Sequence, residues 1–141
     1  MAIGKLATRD VVTAERDATL IDLAKTMESE GVGAVVIAED ERPVGVVTDR
    51  DVALAVGRGE EPESCSADDL IGGEPFTIEE DTEGYDAIRQ FGESRVRRAP
   101  IVDDQGTLTG IVTLDDVVAT IGEELKFVAD VIEEQSPDYS P

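Results

Sequence analysis

Two Thr-x-x-Asp segments, Thr48-Asp49-Arg50-Asp51 and Thr113-Leu114-Asp115-Asp116, hold the residues best suited to ligand chemistry. An ionised carboxylate offers two acceptor oxygens, enough to meet two vicinal hydroxyls. A threonine hydroxyl at a helix start stands beside unpaired backbone N–H groups and the positive end of the helix dipole, a ready place for an anion. The same spacing before an apolar run also writes a capping box, in which the two side chains satisfy the backbone rather than a ligand. On pattern alone both readings stand. The second feature is basic: Arg95, Arg97 and Arg98 fall within four residues of a chain with 12 bases in all. Arginines scattered over an acidic surface pair with carboxylates for under ~1 kcal/mol each. Clustered before a strand, these read instead as a phosphate site, because the guanidinium fork grips phosphate in bidentate fashion. Arg50 adds a base inside the first Thr-x-x-Asp segment, and the second segment has none.

No catalytic constellation accompanies these residues. The chain has no histidine and one cysteine, which removes internal disulfides, Cys-based zinc sites and the common nucleophile–base pairs. Adjacent acids such as Glu79-Glu80 and Asp115-Asp116 are what chance gives among 33 carboxylates. The expectation is no enzymatic activity, no metal and no cofactor, with Cys65 an incidental linker residue. Gly31 and Gly33 read as places of tight backbone packing rather than a phosphate loop.

The formal charge of −21, from 33 acids against 12 bases, predicts repulsion from nucleic acid and from anionic membranes. No apolar run approaches the ~20 residues of a membrane span. Met1-Ala2-Ile3-Gly4-Lys5 lacks the apolar stretch of a secretion signal, so a cytoplasmic protein is expected. Nine of the bases are arginine and aromatics make up 4%, a composition similar to that of salt-in halophile proteins. At molar salt the Debye length falls to ~3 Å, and self-repulsion on this scale is screened.

The elements that position the candidate residues come as an internal repeat. Residues 44–52 return at 109–117, so that Gly45, Thr48 and Asp51 align with Gly110, Thr113 and Asp116. Upstream, Val12-Thr13 aligns with Phe76-Thr77, Asp17 with Asp81 and Met27 with Phe91. The offset differs by one residue, absorbed in the turns Glu39–Arg42 and Asp103–Thr107, where insertions cost little. Each copy reads as a short strand, a helix, a hairpin of two continuously β-branched strands and a second helix. Thr19-x-x-Asp22 marks the first helix start, with Leu20, Leu23, Ala24 and Met27 on one face. Gly57 to Asp69 is polar and reads as a linker. Val117, Val118, Ile121, Leu125, Val128 and Ile132 keep helical spacing, which extends the last helix to about Glu134. Their apolar stripe would be a partner surface or a cap on the core.

The repeated signature, a small residue, two β-branched residues, Thr-x-x-Asp and an apolar residue after a hairpin, resembles the CBS domain. Two in tandem resemble a Bateman module, and Arg9-Asp10-Val11-Val12-Thr13 and Arg97-Arg98-Ala99-Pro100-Ile101-Val102-Asp103 agree. The resemblance covers about residues 8 to 122. It implies an α+β fold of tandem βαββα repeats packed with pseudo-twofold symmetry around two clefts that commonly take adenosine-containing ligands. It also implies, in many relatives, a disc-shaped homodimer. Carried onto this chain, Asp51 would bond a ribose diol and Thr48 a phosphate. The Thr/Asp pair of one copy faces the hairpin start of the other in this family. Thr48, Arg50 and Asp51 would then share a cleft with Phe76, Thr77, Ile78, Arg97 and Arg98. The opposite cleft would join Thr113 and Asp116 to Val12, Thr13, Val32, Gly33 and Ala34, with nothing cationic in it.

The function expected from these residues and that resemblance is a regulatory or sensor module. It would bind AMP, ADP, ATP or a compound of the S-adenosylmethionine class between the repeats and signal through the shape of a homodimer to a regulated protein. The alternative is an interaction module with empty clefts, serving dimerisation or docking. The expected organisation is one repeat over residues 8–58, a linker over 59–69, a second repeat over 70–122, and a helix with a frayed tail over 123–141. An opening Met and a natural-looking tail favour a self-standing chain over a regulatory fragment of a nucleotide dehydrogenase.

Overall fold

Continuous β-branched runs become the centres of two small sheets. In the first repeat β1 (Thr13–Ala14) pairs parallel with β2 (Ala34–Glu39), which pairs antiparallel with β3 (Arg42–Thr48). Central β2 buries Val35, Val36 and Ile37 completely, as a run covered on both faces should. Between β1 and β2 runs α1 (Leu20–Glu30), opened by the Thr19/Asp22 capping box and closed by Gly31 at a φ of 66°. Its Leu23 and Met27 join Val35, Ile37 and Val47 in the first core. α2 (Asp49–Gly57) leaves β3 without a loop, and a single helical turn, α3 (Ala67–Leu70), precedes the second repeat. That repeat runs β4 (Ile78–Glu79), α4 (Gly84–Ser94), β5 (Arg98–Val102), β6 (Leu108–Thr113) and α5 (Leu114–Gln135), with the same pairing. This is a computed structural model, and it describes residues 1–135. Most of the expected frayed tail, residues 136–141, lies outside the described residues.

Local chemistry explains where the copies differ. The β2–β3 turn has two residues at positive φ, Asp40 at 52° and Glu41 at 64°, the sense of turn that matches the twist of a hairpin. The β5–β6 turn is longer: the Asp103 carboxylate accepts the backbone N–H groups of Gln105 and Thr107, and Gly106 takes a φ of 80°. The extra residue of the second copy is accommodated here. At the end of α4, Arg95 stands at a φ of 59° where the first copy has Gly31. One member of the arginine cluster therefore serves as a left-handed helix terminator.

The segments before each repeat are exchanged. Ile3 and Gly4, in a 3-10 turn over Ile3–Leu6, donate their N–H groups to the carbonyls of Thr82 and Glu80. Thr8 and Ile111 exchange backbone hydrogen bonds, and Ile3 is fully buried in the second core beside Phe91 and Ile101. Residues 62–71, which precede the second repeat, pack on the first: Leu20 and Ile21 donate to the carbonyls of Cys65 and Pro62, and Ala67 donates to Ala18. The stretch read as a linker is thus partly structural. Cys65 is buried with Leu20 and Ala55, where burial pushes its thiol pKa up; it packs rather than sits idle in a tether. Both exchanges need a glycine opposite them. A Cβ on Gly45 would stand 2.5 Å from Cγ2 of Ile71, and one on Gly110 would stand 2.8 Å from Cβ of Ala7.

α5 is unlike the other helices. Its first turns bury Val117 and rest Leu114 and Ile121 on the second core. From Gly122 to Gln135 every residue is exposed.

Candidate functional site

The start of β2, the end of β6 and the segment before β1 enclose a cleft of about 280 Å³. Val11, Val12, Val32 and Ala34 give it apolar walls, and Thr113 and Arg98 come to it from the second repeat. β5 and β6 place these two together: Arg98 is the register partner of Thr113. The half-buried Arg98 guanidinium donates through Nη1 to the Gly33 carbonyl at 3.3 Å. That carbonyl also receives the first N–H of α2, from Asp49, at 2.9 Å. A Cβ at Gly33 would come within 3.1 Å of the Asp49 carboxylate, so glycine suits the position.

Arg98 therefore stands beside Gly33 and Ala34, in the cleft expected to hold no cation. The reason lies in the register: Arg98 begins β5, adjacent to the end of β6, and its long side chain crosses to the first repeat. In the pseudo-symmetric position the first repeat offers Ala34, which cannot reciprocate. Arg97 does not reach a cleft site either. Its guanidinium pairs with Asp115 at 2.8 Å on an exposed surface, an interaction that raises its pKa further. Its carbonyl accepts the N–H of Leu114 at the start of α5.

The two Thr-x-x-Asp segments resolve differently. Thr48 and Asp51 close a full capping box at α2: Asp51 N–H donates to Thr48 Oγ1 at 3.1 Å, and Thr48 N–H donates to Asp51 Oδ2 at 2.9 Å. At α5 the first of these bonds is present, Asp116 N–H to Thr113 Oγ1 at 3.1 Å. The Asp116 carboxylate accepts no hydrogen bond among the described residues, and it is exposed one turn from the cleft. Of the pair, Asp116 has the uncommitted oxygens.

The remaining members expected beside Thr48 are dispersed. Ile78 is buried in the second core, and Phe76 packs edge-on against Phe91 with ring centroids 5.7 Å apart. Thr77 lines a different opening of about 510 Å³, near Arg42 and the Gly72-Gly73 turn. Arg50 is exposed and lines none of the cavities described. Thr13 lines another opening with Glu15, Asp40 and Glu41. Sequence reasoning passed over Thr8, Asp10 and Ile111, which complete the 280 Å³ cleft. Asp10 and Val11 precede the opening strand and could have been included with Val12; Thr8 enters through its pairing with Ile111 across the repeats, which no pattern in the sequence announces. Among the described residues no cluster of His, Cys, Asp or Glu is arranged to hold a metal, and no helix is long and apolar enough to cross a membrane.

Comparison with known proteins places this architecture. The CBS domain family model matches twice, over residues 3–58 and 67–123. An uncharacterised protein of Methanopyrus kandleri is 38% identical over 135 residues, covering 89% of this chain and 69% of its own length. A CBS domain protein from Pyrobaculum aerophilum, solved in complex with AMP, has a TM-score of 0.74 at 24% identity over 82% of this chain and 89% of that one. A CBS domain pair solved with 5′-methylthioadenosine and S-adenosyl-L-methionine has a TM-score of 0.77 at 19% identity, over 88% and 98%. Those two likenesses are of fold. With both repeats matched over most of the chain, this chain belongs to the CBS domain family, as a tandem pair.

Proposed function

We propose that the chain is a regulatory module that binds an adenosine-containing ligand in the cleft between Gly33 and Thr113. The observation that carries this reading is the reach of Arg98 from the second repeat into an apolar-walled cleft of the first; Asp116, whose carboxylate accepts no hydrogen bond among the described residues, lies in the first turn of α5 after the lining residue Thr113. Apolar walls suit a purine face, a carboxylate suits a ribose diol, and a guanidinium suits a phosphate or carboxylate. Ligands of this class occupy the two similar CBS structures, AMP in one and methylthioadenosine with S-adenosylmethionine in the other. Binding to this chain is neither catalytic nor cofactor-dependent in this reading; occupancy is passed to a partner protein.

The cleft also narrows the ligand. Asp10 lines it as well as Arg98, so the two formal charges cancel where a triphosphate would need several bases. A monophosphate or a zwitterionic adenosine compound fits that balance better than ATP. A thermal-shift panel of AMP, ADP, ATP, S-adenosylmethionine, methylthioadenosine and NAD tests this, because a ligand selective for the folded state stabilises it by ~2.7 kcal/mol at a hundredfold excess over Kd. AMP or S-adenosylmethionine should raise the unfolding temperature more than ATP does. A panel without any response overturns the reading and leaves the interaction module with empty clefts, which the exposed stripe of α5 favours.

A further inference from the structure

The carbonyl of Gly33 has two donors. One is the Asp49 N–H at the start of α2, at 2.9 Å; the other is Arg98 Nη1 of the second repeat, at 3.3 Å. The pseudo-equivalent corner lies at Arg97, whose carbonyl accepts the Leu114 N–H at 2.7 Å. No side chain among the described residues joins it there, because Ala34 stands where the second repeat has Arg98. A corner of this kind therefore holds with one donor. The Arg98 bond is surplus to the corner, and it ties the two repeats together across the cleft.

That tie is easily displaced. It is long for a hydrogen bond, and its acceptor is uncharged. An anionic oxygen takes a guanidinium in a shorter bond, and a phosphate or carboxylate takes it in two at once. We infer that Arg98 is an exchangeable tie: an anionic ligand in the cleft draws it off Gly33, and an uncharged one leaves it in place. The inference rests on the ligand reading above and adds what the module would report, the charge on the ligand as well as occupancy. A ligand shifts an equilibrium only through its differential affinity for the two states; adenosine gives the guanidinium no better acceptor, and AMP does. The consequence is felt at α2. Relieved of its second donor, the Gly33 carbonyl should hold Asp49 as closely as Arg97 holds Leu114. The helix that follows carries Leu54 and Val56 on the surface, 47% and 52% exposed, so a change at its first turn reaches a face that a partner can read.

The test uses the full chain with AMP and adenosine as probes, binding followed by calorimetric titration and the tie by backbone amide NMR. Comparing the two saturated spectra cancels the effect of the adenine ring, which both ligands carry. The Asp49 amide proton should lie at lower field with AMP than with adenosine, as a shortened hydrogen bond requires. In Arg98→Ala it should lie at low field before any ligand is added, and the difference between AMP and adenosine should vanish. Both ligands titrating with Asp49 at one position overturns the tie and leaves the ligand reading standing. A difference that persists in a folded Arg98→Ala protein also overturns it, since the phosphate would then act through another group. AMP that neither titrates nor moves any amide removes the ligand reading, and the tie with it. The wild-type comparison decides the matter even where the variant fails to fold.

Discussion

Asp51 and Asp116 hold the same place in their repeats, and one hydrogen bond separates their roles. Asp51 accepts the N–H of Thr48 and closes its helix cap; Asp116 accepts nothing from Thr113. Sequence could not distinguish them, because cap and ligand site use the same atoms at the same spacing. The arginines were equally ambiguous by type: Arg95 ends a helix, Arg97 pairs with Asp115, and Arg98 alone of the three enters a cleft. Arg98 thus gives a base to the cleft beside Gly33, which was expected to have none. Asp51→Ala should cost about 1 kcal/mol of stability, the usual loss of a helix cap, and leave affinity for AMP unchanged. Asp116→Ala should leave the unfolding temperature almost where it was and weaken both AMP and adenosine. Hydrogen bonds to a charged group are worth ~1.5–3 kcal/mol, or roughly tenfold to over a hundredfold in Kd. Arg98→Ala should weaken AMP more than adenosine. Calorimetric titration beside thermal unfolding reads all three variants, and lost binding in a well-folded Asp51→Ala protein would sink the assignment.

At the level of elements, the strands, hairpins and helices were legible because each repeats a period or a β-branched run, and seeing the pattern twice removed most ambiguity. The docked segments were not legible. Residues 2–8 and 62–71 are short and without period, and their structure comes from backbone bonds to the other repeat. Their trace in the sequence is the pair Gly45 and Gly110, which looked like parts of a motif and prove to be contact points for Ile71 and Ala7. Gly45→Ala should destabilise the fold by ~1–3 kcal/mol, the usual cost of overpacking, and Ile71→Ala should recover part of that loss because the obstacle is a side chain. Gly110→Ala should be rescued poorly by trimming Ala7, since the Thr8 carbonyl also stands 3.1 Å from the new Cβ. Denaturant midpoints of the single and double variants would measure this; equal rescue at both sites would contradict the packing described.

Over the whole molecule the excess of acid dominates. Each of the six ion pairs among the described residues has both partners substantially exposed, and such pairs contribute ~0–1 kcal/mol each, too little to offset the self-repulsion of a −21 chain. The unfolding midpoint should therefore rise between dilute buffer and molar KCl, with a sulfate salt run in parallel to separate screening from exclusion effects. A flat response would mark an ordinary acidic protein. The exchanged segments carry a consequence for how the chain is made. During synthesis the first repeat has its docking strip as soon as Ile71 leaves the ribosome. The opening residues, Ile3 among them, wait for Thr82 and then Ile111, a delay on the order of 5–20 s at ordinary elongation rates. The earliest part of the polypeptide is thus the last to be sheltered, and a nascent chain stalled between the repeats would hold a finished first half with a bare apolar leader, a natural target for chaperones.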